Sequence, residues 1–154
     1  MSVTITFLGG ADTVTGSKYL IEHQRHRVLV DCGLFQGYKQ LRLRNWAPLP
    51  VAPQQIDAVL LTHAHLDHSG YIPLLVKEGF AGRIHATSGT VDLCRILLPD
   101  SGHIQEEDAA FANRHGFSKH SPALPLYTRL EAVDSLRHLR AEKIGPWFEP
   151  LPGW

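Results

Sequence analysis

Residues 58–61 (AVLL) run directly into Thr62-His63-Ala64-His65-Leu66-Asp67-His68-Ser69-Gly70, and this junction constrains the fold more than any other segment. A continuous apolar run of strand length reads as a strand buried on both faces. Three histidines and one aspartate then follow within six positions. In extended backbone alternate residues share a face, so His63 and His65 project together. A helix entered immediately afterwards brings Asp67 and His68 back over the same end of the sheet. Imidazole nitrogens suit zinc, iron or manganese, and an added carboxylate is typical of hydrolytic metal sites. Strand ends from which helices begin are also where α/β proteins bind ligands.

The rest of the chain supplies a sheet for that strand. Residues 3–8 (VTITFL) alternate as a half-buried strand ending at Gly9-Gly10. Residues 18–22 and 27–30 read as the next two strands, with HQRH as the hairpin turn between them. Asp31-Cys32-Gly33-Leu34-Phe35-Gln36-Gly37 reads as a loop whose two glycines take unusual backbone angles. Residues 38–45 form a short basic helix, followed by an extended connection through Pro48, Pro50 and Pro53. After the histidine cluster a helix runs from Tyr71 through Val76 and stops at Gly79, with Pro73 in its first turn. Residues 83–86 are a short strand. Ser88 then caps a helix that carries Val91, Cys94 and Leu98 on one face. Pro99 interrupts it, and a second, more polar helix spans 101–115. A loop covers 116–127, a last amphipathic helix 130–141, and a short strand lies near Trp147 and Phe148. Strands alternate with helices after the first hairpin, so the class is mixed α/β.

Composition matters at three points. The chain of 154 residues holds 15 Lys+Arg against 15 Asp+Glu, and this zero net charge argues against a sequence-wide phosphate-binding surface. A local patch remains open at Lys39, Arg42 and Arg44, although a solvated face is the commoner outcome for so short a basic run. Cys32 and Cys94 are far apart, without metal-knuckle spacing, and read as buried reduced thiols of a cytoplasmic protein. The N-terminus lacks a signal-peptide pattern, and no apolar stretch is long enough for a membrane helix. Of the ten histidines, only three belong to the cluster. His23, His26, His115, His120 and His138 fall in turns or on polar faces and are expected at the surface, and His85 is expected as a half-buried structural histidine. Glu106 and Glu107 read as a solvated acidic face.

The motif His63-x-His65-x-Asp67-His68 resembles the signature of the metallo-β-lactamase superfamily. Further segments are similar to one subgroup, the β-CASP nucleases, which includes RNA-processing exonucleases and the cleavage-and-polyadenylation endonuclease. These segments are Phe7-Leu8-Gly9-Gly10-Ala11 with Val14-Thr15-Gly16-Ser17, the Asp31 to Gly37 loop, and Pro99-Asp100-Ser101-Gly102-His103-Ile104-Gln105-Glu106-Glu107-Asp108-Ala109.

The resemblance implies a fold and a chemistry. The fold is the N-terminal half of an αββα sandwich, one mixed sheet with flanking helices. Two divalent ions, zinc by family habit, assist phosphodiester hydrolysis of RNA. His63 and His65 hold the first ion and Asp67 and His68 the second, with Asp67 as orienter or base. Asp31 stands behind the ligands and fixes a histidine's orientation. Residues 1–154 then form a partial domain. The family's later Gly-His turn, later aspartate, C-terminal histidine and inserted lid domain are expected beyond it, and His103, despite its Gly-His context, is not that turn. Weak or partial metal occupancy, little nuclease activity in this chain alone, and self-association through an uncovered sheet face follow as expectations. A thioester or lactone hydrolase of the same superfamily, and a truncated inactive interaction module, are the alternatives.

Overall fold

The computed structural model describes residues 2–154. Six strands form one sheet in the order β1-β2-β3-β4-β5-β6. β1 (Val3–Gly9), β2 (Lys18–His23) and β3 (His26–Val30) are antiparallel neighbours. β4 (Ala58–Leu60), β5 (Arg83–Thr87) and β6 (Leu139–Glu142) add in parallel. The mixed α/β reading stands. The hairpin is tighter than HQRH suggested, because His23 and His26 pair as its last rung and only Gln24 and Arg25 turn. Among the described residues no helix is long and apolar enough to cross a membrane.

Strand alternation sorts the sheet into two faces. Leu20, Leu29, Val59, Ile84 and Leu139 form one cross-strand row, and every one is buried. Helices α3 (Ile72–Lys77), α4 (Ser88–His115) and α5 (Arg129–Ser135) cover this row with Ile72, Leu75, Val91, Cys94, Leu98 and Ala132, which makes the core. Phe7, Tyr19, Val30, Leu60 and His85 form the matching row on the opposite face. That face is open at β1, where Phe7 is 64% and Ile5 55% exposed. It is covered further along, because residues 143–154 return across it. Phe148 stacks on His85 at 5.5 Å, and Trp154 meets the edge of His23 at 6.0 Å. The uncovered face expected from the sequence is therefore uncovered only in part, and no strand forms near Trp147 and Phe148.

Three helix expectations need correction. α4 is a single helix of 28 residues that passes through Pro99. A proline forfeits one backbone bond and crowds the preceding turn, at a cost of about 3 kcal/mol. The buried stripe Val91, Cys94, Leu98, Ser101 and Gly102 continues across it, and that packing holds both halves in line. Its N-cap is Thr87, which accepts from the Thr90 amide, rather than Ser88. The helix expected over 130–141 ends at Ser135, after starting on a capping box between Thr128 and Glu131. Its buried side carries Ala132 and Ser135, whereas Leu130 faces out. Residues 139–142 instead complete the free edge of β5, where Leu139 closes the core row. Backbone pairing and burial there outweigh helix propensity. The basic segment after the Asp31 loop splits into α1 (Lys39–Leu43) and a 3-10 turn, Arg44–Trp46.

Candidate metal centre

β3 and β4 lie side by side, so the segments leaving them meet above the sheet. Asp31 leaves β3 with a left-handed φ of 58° and donates its amide to the Leu60 carbonyl at 3.0 Å. The loop after β3 then closes onto α2 (Leu66–Ser69) through a series of backbone bonds. Cys32 donates to the His68 carbonyl at 2.7 Å, Leu34 to Leu66 at 2.9 Å, and Tyr71 back to Cys32 at 2.9 Å. Ser17 joins from the preceding loop, its amide donating to the Asp67 carbonyl at 2.9 Å. Gly33 sits where this contact is closest, and a Cβ there would overlap the Asp67 carbonyl. The expectation of unusual angles at both glycines is met at Gly37 and not at Gly33, which is needed for its small size, and the other left-handed φ falls on Asp31.

Asp31 is the hub of the side-chain network. Its carboxylate accepts from the Thr62 amide at 2.8 Å, the Thr62 hydroxyl at 2.8 Å, the Ser17 hydroxyl at 3.2 Å and His68 Nδ1 at 2.7 Å. A carboxylate only accepts, so His68 carries its proton on Nδ1 and keeps its lone pair on Nε2. Thr62 passes the effect to His63. The single hydroxyl proton of Thr62 goes to Asp31, so His63 Nδ1, 3.0 Å away, must donate to Thr62 Oγ1. His63 Nε2 is then a free lone pair as well.

The four residues singled out in the sequence do come together. The His63 and His65 rings are 4.9 Å apart, the His63 and His68 rings 4.0 Å, and His68 Nε2 lies 3.5 Å from Asp67 Oδ2. β4 stops at Leu60, so residues 61–65 are extended chain rather than strand, and alternation still places the two histidines together. Among the described residues no three His, Cys, Asp or Glu side chains are placed to hold one ion jointly. The donors suit a divalent metal in kind, and as placed they form an open set.

Several supporting residues were given no role by the sequence. Ser17 and Thr62 stand inside the quoted segments, but nothing there assigns them a contact. Tyr127, fully buried, donates to the Gly70 carbonyl at 2.8 Å and meets Ser101 Oγ at 2.9 Å, which ties the end of the histidine segment to α4. Lys18, one position beyond Ser17, is 1% exposed beneath the loop, its ammonium 4.5 Å from the Phe35 ring and 4.6 Å from Tyr71. Burial, with help from the Arg44 charge, lowers its pKa to about 8. Burial pushes the neighbouring Cys32 thiol up to about 12. Only alternation placed Lys18 in a strand, and nothing in the sequence marked it as internal.

The remaining candidates lie elsewhere. His85 is buried rather than half-buried, its Nδ1 2.7 Å from Glu142 Oε1. His138, expected at the surface, is partly buried with Nδ1 2.8 Å from the Gly82 carbonyl, and His23 and His26 are half-buried in the hairpin. His115 and His120 are exposed as expected. His103 lies within α4 beside Glu107 at 3.6 Å, and Glu106 accepts from the Arg129 amide at 3.0 Å. Cys32 and Cys94 are buried and free.

A mixed sheet that ends in an HxHxDH turn, backed by an aspartate from the adjacent strand, defines a class. The sequence pattern of the metallo-beta-lactamase superfamily matches residues 12–93, more than half the chain, and the chain belongs to that superfamily. Among particular proteins, it is 40% identical over 140 residues to Ribonuclease TTHA0252 of Thermus thermophilus, covering 91% of this chain and 28% of that protein. It is 41% identical over 103 residues to Transcription termination factor FttA of Methanosarcina mazei, covering 64% of this chain and 16% of that one. It is 33% identical over 101 residues to Cleavage and polyadenylation specificity factor subunit 3-I of Arabidopsis thaliana, covering 62% and 14%. The resemblance to the N-terminal portion of the β-CASP subgroup stands. The chain spans about a quarter of the length of the first relative and less than a fifth of the other two.

Proposed function

We propose that the chain is the first metal-ligating part of a zinc-dependent RNA phosphodiesterase. The observation that carries the reading is the Asp31 hub, which engages Nδ1 of His68 and, through Thr62, Nδ1 of His63, and so leaves the lone pair of each ring on Nε2. That is the state a divalent cation requires of imidazole. Superfamily membership implies such a cation, and three imidazoles with one carboxylate favour zinc over a hard, oxygen-seeking ion. His63 and His65 would hold one ion, and Asp67 and His68 a second. A metal held there would supply Lewis acidity toward a phosphoryl oxygen.

The chain's own residues do the rest. Asp31 and Thr62 keep two imidazoles in one tautomer, which saves the ordering cost at the moment of ligation. The Asp67 carboxylate would accept a proton from an attacking water, a role its position beside His68 Nε2 supports. Ser17, Cys32 and Leu34 hold the turn of α2 by its backbone, so the ligand positions do not depend on side-chain packing alone. RNA is the substrate class, on the strength of the ribonuclease relative. The buried thiols Cys32 and Cys94 support a reducing, cytoplasmic setting. The open part of the sheet at Ile5 and Phe7 supports self-association, which a monomer in sedimentation at micromolar concentration would contradict.

The test compares His65→Ala and Asp67→Ala in the complete enzyme, with RNA and a thioester as competing substrates. Loss of RNA cleavage with loss of bound metal is expected, and undiminished turnover would refute the assignment. For residues 1–154 alone, an open donor set predicts weak zinc binding. Stoichiometric zinc after dialysis, by elemental analysis, would contradict this.

A further inference from the structure

The segment between the Asp31 loop and β4 is sorted by charge. From Cys32 to Ile56 there is no Asp or Glu, while Lys39, Arg42 and Arg44 all lie there. In a chain of zero net charge this is a local concentration of cation. Two aromatic side chains flank it, and both are exposed, Tyr38 at 65% and Trp46 at 58%.

The segment is held firmly at its base. Asn45 is buried and bonds both polar groups of the Phe35 backbone, accepting from its amide at 2.8 Å and donating to its carbonyl at 2.8 Å. Thr15 Oγ1 accepts from the Gln36 amide at 2.9 Å, and the Arg44 guanidinium lies 4.1 Å over the Phe35 ring. Rings and cations on a fixed loop lose little entropy on binding. A groove of about 670 Å³ runs from Gln36, Arg42 and Trp46 to Leu66, which stands between His65 and Asp67. Its far wall, on α4, carries Asp100 and Asp108, so an anionic strand is confined to the α1 side.

We infer that residues 36–46 bind single-stranded RNA and lead it toward the histidine cluster, with Trp46 and Tyr38 stacking on bases and Lys39 and Arg42 meeting phosphates. Trp46 and Arg42 line the groove itself, and Tyr38 and Lys39 follow directly on its Gly37 as exposed residues. Flat rings interleaved with cations are the chemistry that meets an unpaired polynucleotide, whose bases stack and whose backbone is anionic. Arg44, committed to Phe35, stiffens the loop. The inference rests on the RNA reading above and adds the place where the strand lies.

Binding is measured in EDTA, so that metal chemistry plays no part, by fluorescence anisotropy of a labelled oligouridine containing 4-thiouridine. Trp46→Ala is expected to weaken binding about 5- to 100-fold, the range for loss of one stacked base. Arg42→Gln is expected to lower the slope of log affinity against log salt by about 0.7. Duplex RNA of the same sequence should bind more weakly, and 4-thiouridine crosslinks should map to residues 38–46. Unchanged melting temperatures certify that both variants fold. Failure of the wild-type chain to bind at low salt, wild-type affinity in both variants, or crosslinks confined to other segments would each overturn the inference. RNA bound here without cleavage by the complete enzyme would sink the phosphodiesterase reading and leave this site standing. Cleavage with crosslinks elsewhere would do the reverse.

Discussion

Lys18→Met replaces a buried ammonium by an apolar chain of similar length and tests whether burial governs the energetics under the metal turn. Lys18 is 1% exposed, and its pKa falls from 10.5 to about 8. At ~1.4 kcal/mol per tenfold change, burying the charged form costs about 3 kcal/mol more than burying the neutral amine. The Phe35 and Tyr71 rings return part of this, about 0.5–1 kcal/mol each. The variant should therefore be as stable as the wild type at pH 7, or more stable by about 1–2 kcal/mol.

The pH dependence separates the charge from the packing. The folded protein holds this proton less tightly than the unfolded chain, so between about pH 8 and 10.5 the unfolded state carries more protons and stability rises with pH. Below that window both states are protonated and the full cost is present. Cys32 acts in the opposite direction, since its unfolded thiol ionises first and its folded pKa is about 12. Absolute stability at alkaline pH mixes the two effects, and the difference between wild type and variant largely removes the thiol. Urea denaturation at pH 7, 8 and 9 should show the wild type gaining about 1 kcal/mol on Lys18→Met across that span. Parallel curves, with no gain, would refute the account of a desolvated ammonium.

Asp31→Asn should weaken zinc binding about 10- to 100-fold by chelator competition, because an amide cannot accept from Thr62, Ser17 and His68 together. Thr62→Val, nearly the same shape, should lower zinc affinity through His63 alone, with a stability loss of about 1–2 kcal/mol by urea titration. Gly33→Ala should cost about 3 kcal/mol or more by the same titration, since the new Cβ meets backbone that closes the α2 turn. Wild-type stability in that variant would mean that the loop is not seated on α2.

What was legible in the sequence was local. The 58–61 run and the six-position cluster announced a strand followed by a turn that gathers the histidines, because periodicity and residue type alone carry that message. Residues 139–142 were misread because their strand exists only through the free edge of β5, a partner more than 50 positions away. Pro99 was overweighted for a related reason: its local cost is fixed, while the packing that offsets it is tertiary. Thr62, Lys18 and Tyr127 act through contacts across the chain, and no spacing rule points to them.

The same division explains how the site is supported. Each ligand turn is short, and α2 has only four residues, too few to be stable as an isolated helix. Its position is set from outside, by amides of Ser17, Cys32 and Leu34 that bond to carbonyls of Asp67, His68 and Leu66. Backbone bonds tolerate side-chain replacement, so the turn can keep its place while individual ligands are exchanged. The tautomers depend instead on one carboxylate, Asp31, with a left-handed φ and at least four donors. Placement is therefore distributed over two loops, whereas orientation is concentrated in one residue. Ligand substitutions should consequently remove metal with little loss of fold. Asp31 substitutions should perturb both together, and paired zinc-affinity and urea measurements on the same variants separate the two cases.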